Sequence, residues 1–175
     1  MRFIKVIIMM CSFFILADPG FAEVCLKPGA EPQGFRDIKW GTKISQLPRM
    51  RVNLKIFNGP TKYKREDEDL RWENAELKEV FYVADQDERF YAVEVFTSGD
   101  GNWEKIKNTI TKEMGEDYRT VKRRSKDIFE WKNDHFKVTL EYSQKSKGTK
   151  LSINYLPGQN GLGNSKAGRC CIGTI

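Results

Sequence analysis

Apolar and polar residues alternate along most of this chain, and one stretch alone shifts to a helical period. Val52, Leu54 and Ile56 alternate with Asn53, Lys55 and Phe57 ahead of Asn58-Gly59-Pro60, which predicts a strand and a turn. Thr61 to Arg65 is placed to pair back across that turn. Residues 76–84 and 89–97 are rich in β-branched and aromatic side chains, and the polar run Asp85-Gln86-Asp87-Glu88 joins them as a hairpin. In the second of these strands, Tyr91, Val93 and Val95 are expected on one face. Phe90, Ala92, Glu94 and Phe96 are expected on the other, as in a central strand covered on both sides.

Ser98 to Asn102 reads as a loop that supplies a helix N-cap. Behind it Trp103, Ile106, Ile110 and Met114 recur at spacings of three and four, and Gly115 is a natural stop. That pattern predicts a helix of about 12 residues whose apolar stripe packs on a sheet. Residues 127–132 and 136–142 flank the turn Asn133-Asp134-His135, and Leu151, Ile153 and Tyr155 repeat the alternation, giving a three-stranded meander. Residues 35–40 predict one short strand, and Ile44, Leu47 and Met50 a helical turn or two halted by Pro48. The expected fold is a single α+β domain over 35–156: an antiparallel sheet with the helix packed on one face.

The first 22 residues stand apart. Arg2 and Lys5 precede an apolar run from Val6 to Leu16, and Gly20-Phe21-Ala22 offers a small-x-small cleavage site. This is the pattern of a secretory signal peptide, and an eleven-residue core is too short to span a bilayer. The segment 1–22 is therefore expected to leave on export to the periplasm or beyond, with 23–34 as a Pro/Gly-rich linker and 157–175 as a flexible tail. Export permits disulfides. Cys11 leaves with the signal segment, so Cys25, Cys170 and Cys171 are the disulfide candidates, Cys25 pairing with one of the other two to tie the chain ends together. A bond between the adjacent Cys170 and Cys171 is strained, because their Cα atoms lie about 3.8 Å apart and disulfides favour about 4.4–6.8 Å.

Composition and charge narrow the partners. Aromatic residues at 12% and hydrophobic residues at 39% exclude a wholly disordered chain. The net charge of +6 on 175 residues becomes +5 on 153 once Arg2, Lys5 and Asp18 are removed. An exported chain of mixed charge is not expected to meet nucleic acid. Lys122, Arg123, Arg124 and Lys126 form the strongest basic cluster and are the candidate contacts to an anionic surface; Lys62, Lys64 and Arg65 form a second. The acidic run Glu66-Asp67-Glu68-Asp69 lacks the alternating ligands and turning glycine of a calcium loop, and reads as a solvated loop.

Nothing in the sequence singles out a catalytic, cofactor-binding or metal-ligating residue. His135 is the sole imidazole and falls in a predicted turn. The glycine cluster Gly158 to Gly163 follows the last strand, where it cannot cradle phosphate ahead of a helix. Trp40, Trp72, Trp103 and Trp131 are evenly spread, as core residues are.

Phe35-Arg36-Asp37-Ile38-Lys39-Trp40-Gly41-Thr42, followed by Leu47, resembles the F-x-x-I-x-W-G-T opening of small uncharacterised bacterial exported proteins. Phe81-Tyr82, Phe90-Tyr91, Asn102-Trp103, Met114-Gly115 and Trp131 match the later pieces of that pattern, so the resemblance spans 35–156. It implies fold signatures and no activity. The expectation is thus a non-enzymatic exported domain that binds a protein or envelope component, with no cofactor and no membrane span after cleavage. A small-molecule or lipid carrier with a cavity between helix and sheet, and a cryptic hydrolase, are the alternatives.

Overall fold

The computed structural model describes residues 29–156. The signal segment, residues 23–28 of the lead-in, the tail from 157 and all four cysteines lie outside the described residues. Within them the fold is α+β: mostly antiparallel strand with one α-helix. A short hairpin comes first, β1 (Gly34–Phe35) and β2 (Ile38–Lys39), then a single 3₁₀ turn at Ile44–Gln46. β3 (Met50–Lys55) and β4 (Thr61–Arg65) follow, then a second small hairpin, β5 (Arg71–Trp72) and β6 (Ala75–Glu76). β7 (Glu79–Ala84) and β8 (Phe90–Ser98) lead into α1 (Asp100–Met114). The chain then runs through β9 (Arg119–Arg123), β10 (Lys126–Lys132), β11 (Phe136–Ser143) and β12 (Gly148–Tyr155).

Eight strands form one sheet in the order β3-β4-β7-β8-β12-β11-β10-β9. The last strand therefore sits in the middle, between β8 and β11, and joins the two halves. On one face, here the helix face, Trp103, Ile106, Ile110 and Met114 share a buried core with Tyr82, Val93, Val95, Val138, Leu140 and Leu151. Each such side chain stabilises the fold by about 1.5–3 kcal/mol relative to exposure. Trp103 stacks on Tyr142 with centroids 4.8 Å apart. At the other end of α1 the Trp131 indole N–H donates to the Gly115 carbonyl at 2.9 Å, with Gly115 at φ 100.

Four local expectations are corrected. β8 carries a bulge: Val83 pairs with Ala92 and Ala84 with Phe90, so Tyr91 is an extra residue. The bulge turns Phe90 onto the helix face with Val93 and Val95, and leaves Tyr91 on the opposite face with Ala92, Glu94 and Phe96. The meander after the helix has four strands, not three. β9 (RTVKR) escapes a hydrophobic-pattern search because Val121 is its only aliphatic residue. Residues 35–40 make a tight hairpin rather than one strand, with Arg36 at φ 55 in its turn. The helix begins at Asp100, inside the predicted loop, with Gly99 of that loop as its N-cap and no side-chain cap bond from Asn102. Its amide instead bridges two segments, donating to Ser98 O at 2.9 Å and accepting from Glu76 N at 3.1 Å.

Candidate interaction surfaces

The residues of the F-x-x-I-x-W-G-T segment close one end of the core. Phe35 meets Trp72 and Tyr82 edge-on at 5.8 and 6.0 Å, and Ile38 is buried. Trp40 lies over Phe90 at 4.6 Å and stacks on Tyr155 at 6.2 Å, while its indole N–H donates to Pro32 O at 2.7 Å. Gly41 at φ 80 turns the chain so that residues 41–44 run along 88–90, where Gly41 N–H donates to Phe90 O and Phe90 N–H donates to Thr42 O. Together with Ala30 packing on the core, these bonds tie down 29–34, which the sequence presents as a linker.

The acidic run is a loop in which Glu66, Asp67 and Asp69 are exposed, as expected, but its side chains are paired and Glu68 is not solvated. Glu66 pairs with Arg51, and Asp67 with Arg49 at 2.5 Å and Arg65 at 3.1 Å. Asp69 accepts from the Arg71 backbone N–H. Glu68 turns inward and its side chain is 7% exposed. It accepts from the Tyr82 hydroxyl at 2.8 Å and stands 2.5 Å from Arg36 Nη1, off the line of that N–H, so charge rather than an aligned hydrogen bond meets Oε1. Arg36 also donates to the carbonyls of Asp69 and Arg71. Burial pushes the Glu68 carboxyl above its ordinary range, against the pull of Tyr82 and Arg36, and burial likewise raises Tyr82. This knot ties the first hairpin to the sheet. A hydropathy pattern misses it because the groups that meet Glu68, Arg36 and Tyr82, lie far from it in sequence.

The face of the sheet opposite the helix is uncovered. Across β8 to β9 it forms an open groove of about 580 Å³ lined by Tyr91, Glu94, Arg119, Val121, Arg123, Ile128 and their cross-strand neighbours. Its carboxylates are already engaged: Glu94 takes Lys62 at 2.6 Å and Lys150 at 2.8 Å, Glu130 takes Lys137 at 3.0 Å, and Glu141 takes Lys126 at 3.0 Å. Burial pushes the Glu94 carboxyl up, but the hydrogen bonds from Lys150 and Lys62 outweigh it and hold it below the usual range. The predicted anionic contacts do not form one patch. Arg123 and Lys126 are paired across the β9–β10 hairpin on the open face, Lys122 points to the helix face opposite Asp127, and Arg124 occupies the turn at φ 52. Sequence reasoning missed Arg119, which lies on the same face as Arg123 and lines the same groove. Recognising β9 as a strand is what reveals it.

A second surface is apolar. Val52 is 56% exposed, Leu54 48%, Ile56 45% and Phe57 91%, all on edge strand β3 or the turn after it. β3 has a bulge at Asn53: Val52 pairs with Tyr63 and Leu54 with Lys62, so Val52 faces the helix side and Leu54 the open side. Arg51 and Lys55 flank these residues along the strand, and Lys62 and Lys64 stand beside them on β4.

Among the described residues no group of three or more His, Cys, Asp or Glu is arranged to hold a metal ion, and no helix is long and apolar enough to cross a membrane. His135 is exposed in the turn after β10, and its backbone N–H donates to Asn133 Oδ1 at 2.8 Å. No protein-family profile, curated protein or solved structure matches the chain.

Proposed function

We propose that this is an exported domain without an enzymatic role that binds a protein of the cell envelope, with the β3 edge and its turn as the contact. The observation that carries this is the exposure of Val52, Leu54, Ile56 and Phe57 together along the β3 edge and its turn, Val52 toward the helix side and Leu54 toward the open side, whereas the other exposed large apolar residues among those described, Leu70 and Leu156, stand singly. Clustered apolar exposure of this kind marks interaction sites, whereas single exposed apolar residues need no explanation. Of the cations around the cluster, Arg51, Lys62 and Lys64 are held by Glu66, Glu94 and Glu79, and Lys55, with no ion-pair partner among the described residues, favours a partner with an acid beside its apolar surface. The bulge at Asn53 opposes simple extension of the sheet there, so side chains rather than backbone groups supply the contact. The signal-peptide pattern of residues 1–22 supports export to the periplasm or beyond. The apolar side chains of the helix itself, Trp103, Ile106, Ile110 and Met114, are packed into the core against the sheet, which lends nothing to a carrier function.

Cross-linking in envelope extract tests this. The mature chain is expected to capture a defined protein that is lost when Leu54→Asp and Phe57→Asp are combined. Both side chains are exposed, so stability should change by no more than about 0.5 kcal/mol per site. Equal capture by the native and doubly substituted chains would sink the proposal.

A further inference from the structure

We propose that the outer edge of β9 is a strand-addition site for an extended acidic peptide of the form acid–x–apolar–x–acid. It is a second surface, at the opposite edge of the sheet from Leu54 and Phe57 and independent of them.

β9 closes the sheet order and pairs with β10 over five residues in unbroken register. Its outward N–H and C=O groups have no backbone partner among the described residues. This is the template that an added strand uses, and it contrasts with the bulged β3 edge. Strand alternation places Arg119, Val121 and Arg123 on the open face. The two guanidinium groups are thus four residues apart, about 13 Å along the strand. Val121 lies between them against its cross-strand partner Ile128. A peptide strand laid beside β9 presents positions i, i+2 and i+4 to these three residues. Carboxylates at the ends and an apolar residue in the middle complement them, and Lys122 on the other face favours a further acid.

Charge selects this occupant over others. The neighbouring carboxylates Glu130 and Glu141 are held by Lys137 and Lys126, and neither Arg119 nor Arg123 has an ion-pair partner among the described residues. Along the groove Glu94, Glu130 and Glu141 are already matched by lysines, so the cations left for an anion are the two guanidinium groups at the β9 edge, whose spacing fits two separate carboxylates better than a densely charged polyanion. A second copy pairing through the same edge would set Arg and Lys against Arg and Lys.

The test uses the mature chain and two fluorescent peptides of about seven residues, one carrying Asp at both ends of a Thr-Val-Thr centre and one with Asn in place of each Asp. A third peptide replaces the central Val by Pro, which breaks an added strand while keeping the charges. Fluorescence anisotropy at low salt is expected to show binding of the acidic peptide, weakened about tenfold or more by Arg119→Glu with Arg123→Glu. The Asn and Pro peptides are expected to bind correspondingly weakly. Leu54→Asp should leave the affinity unchanged, which separates this site from the apolar edge. Circular dichroism of the doubly reversed chain, together with Arg119→Lys and Arg123→Lys retaining part of the binding, excludes unfolding as the cause. Equal binding of the Asp and Asn peptides overturns the proposal. So does equal binding of the Pro peptide, or arginine-dependent binding of heparin with none of the peptide.

Discussion

Glu94 is the residue at which the open face is most sensitive to its charges. Its carboxylate receives both Lys62 and Lys150, and its folded pKa is depressed below the unfolded value. An acid shifted this way contributes stability that is fully present above the unfolded value, about 4.3 for Glu, and is lost as pH falls through the folded one. Glu94→Gln is therefore expected to lower unfolding free energy by about 1 kcal/mol at neutral pH, discounted for partial exposure, and by progressively less in acid. Urea unfolding curves across that range check it; a difference that does not shrink in acid would rule out the charge pairing as its source. Glu68 has the opposite sign. Its raised carboxyl is stabilised in the protonated form, so its contribution declines as pH rises through the window between its unfolded and folded values. Neither behaviour is legible in the sequence. Glu94 reads there as one polar residue in a hydrophobic strand and Glu68 as one acid among four, and only strand order brings their cations to them.

At the scale of elements, hydrophobic alternation revealed β11 and β12, the turn at Asn58-Gly59-Pro60 placed β4, and the helical period revealed α1. It failed where side chains do not report burial. β9 is an edge strand of charges, and β5 and β6 are two residues each, too short to alternate. The bulge at Tyr91 was equally hidden, since one inserted residue shifts facing without changing composition. The hairpin of β1 and β2 depends on two glycines in different ways. A Cβ on Gly34 would meet the Ile38 carbonyl oxygen at 2.1 Å, which only backbone movement relieves. A Cβ on Gly41 meets nothing within 4 Å, but its φ of +80 is costly for other residues. Gly41→Ala should thus destabilise by about 1–2 kcal/mol with the fold intact. Gly34→Ala should cost more and disturb the Trp40 packing. Denaturant midpoints and tryptophan fluorescence separate the two cases, and equal effects would refute this account of Gly34. At the helix end, Trp131→Phe removes a buried indole and the bond to Gly115 O, with an expected loss of about 2–3 kcal/mol on the same assay.

For the whole molecule, the sequence conveyed the α+β class and, through the strict alternation of residues 136–142, a strand with one buried and one wet face, but not the strand order that sets β12 between β8 and β11, because alternation does not say which strands are neighbours. The cysteine pairing expected from the sequence belongs to this scale too. With Cys25 joined to Cys170 or Cys171, intact mass of the exported chain should rise by about two daltons on reduction, and its first residue should be Glu23. An unchanged mass would argue against any such bridge. The two limits of the described chain meet one corner: Glu31 accepts from the Asn133 side chain at 2.8 Å, and Leu156 N–H donates to His135 O at 2.6 Å. The order in which the strands are synthesised is therefore separable from the order in which they sit. A short linker from 156 back to 29, with new termini opened at the exposed Arg124–Ser125 turn, should yield a circular permutant with the same sheet, in which β10 comes first in the chain and β9 last.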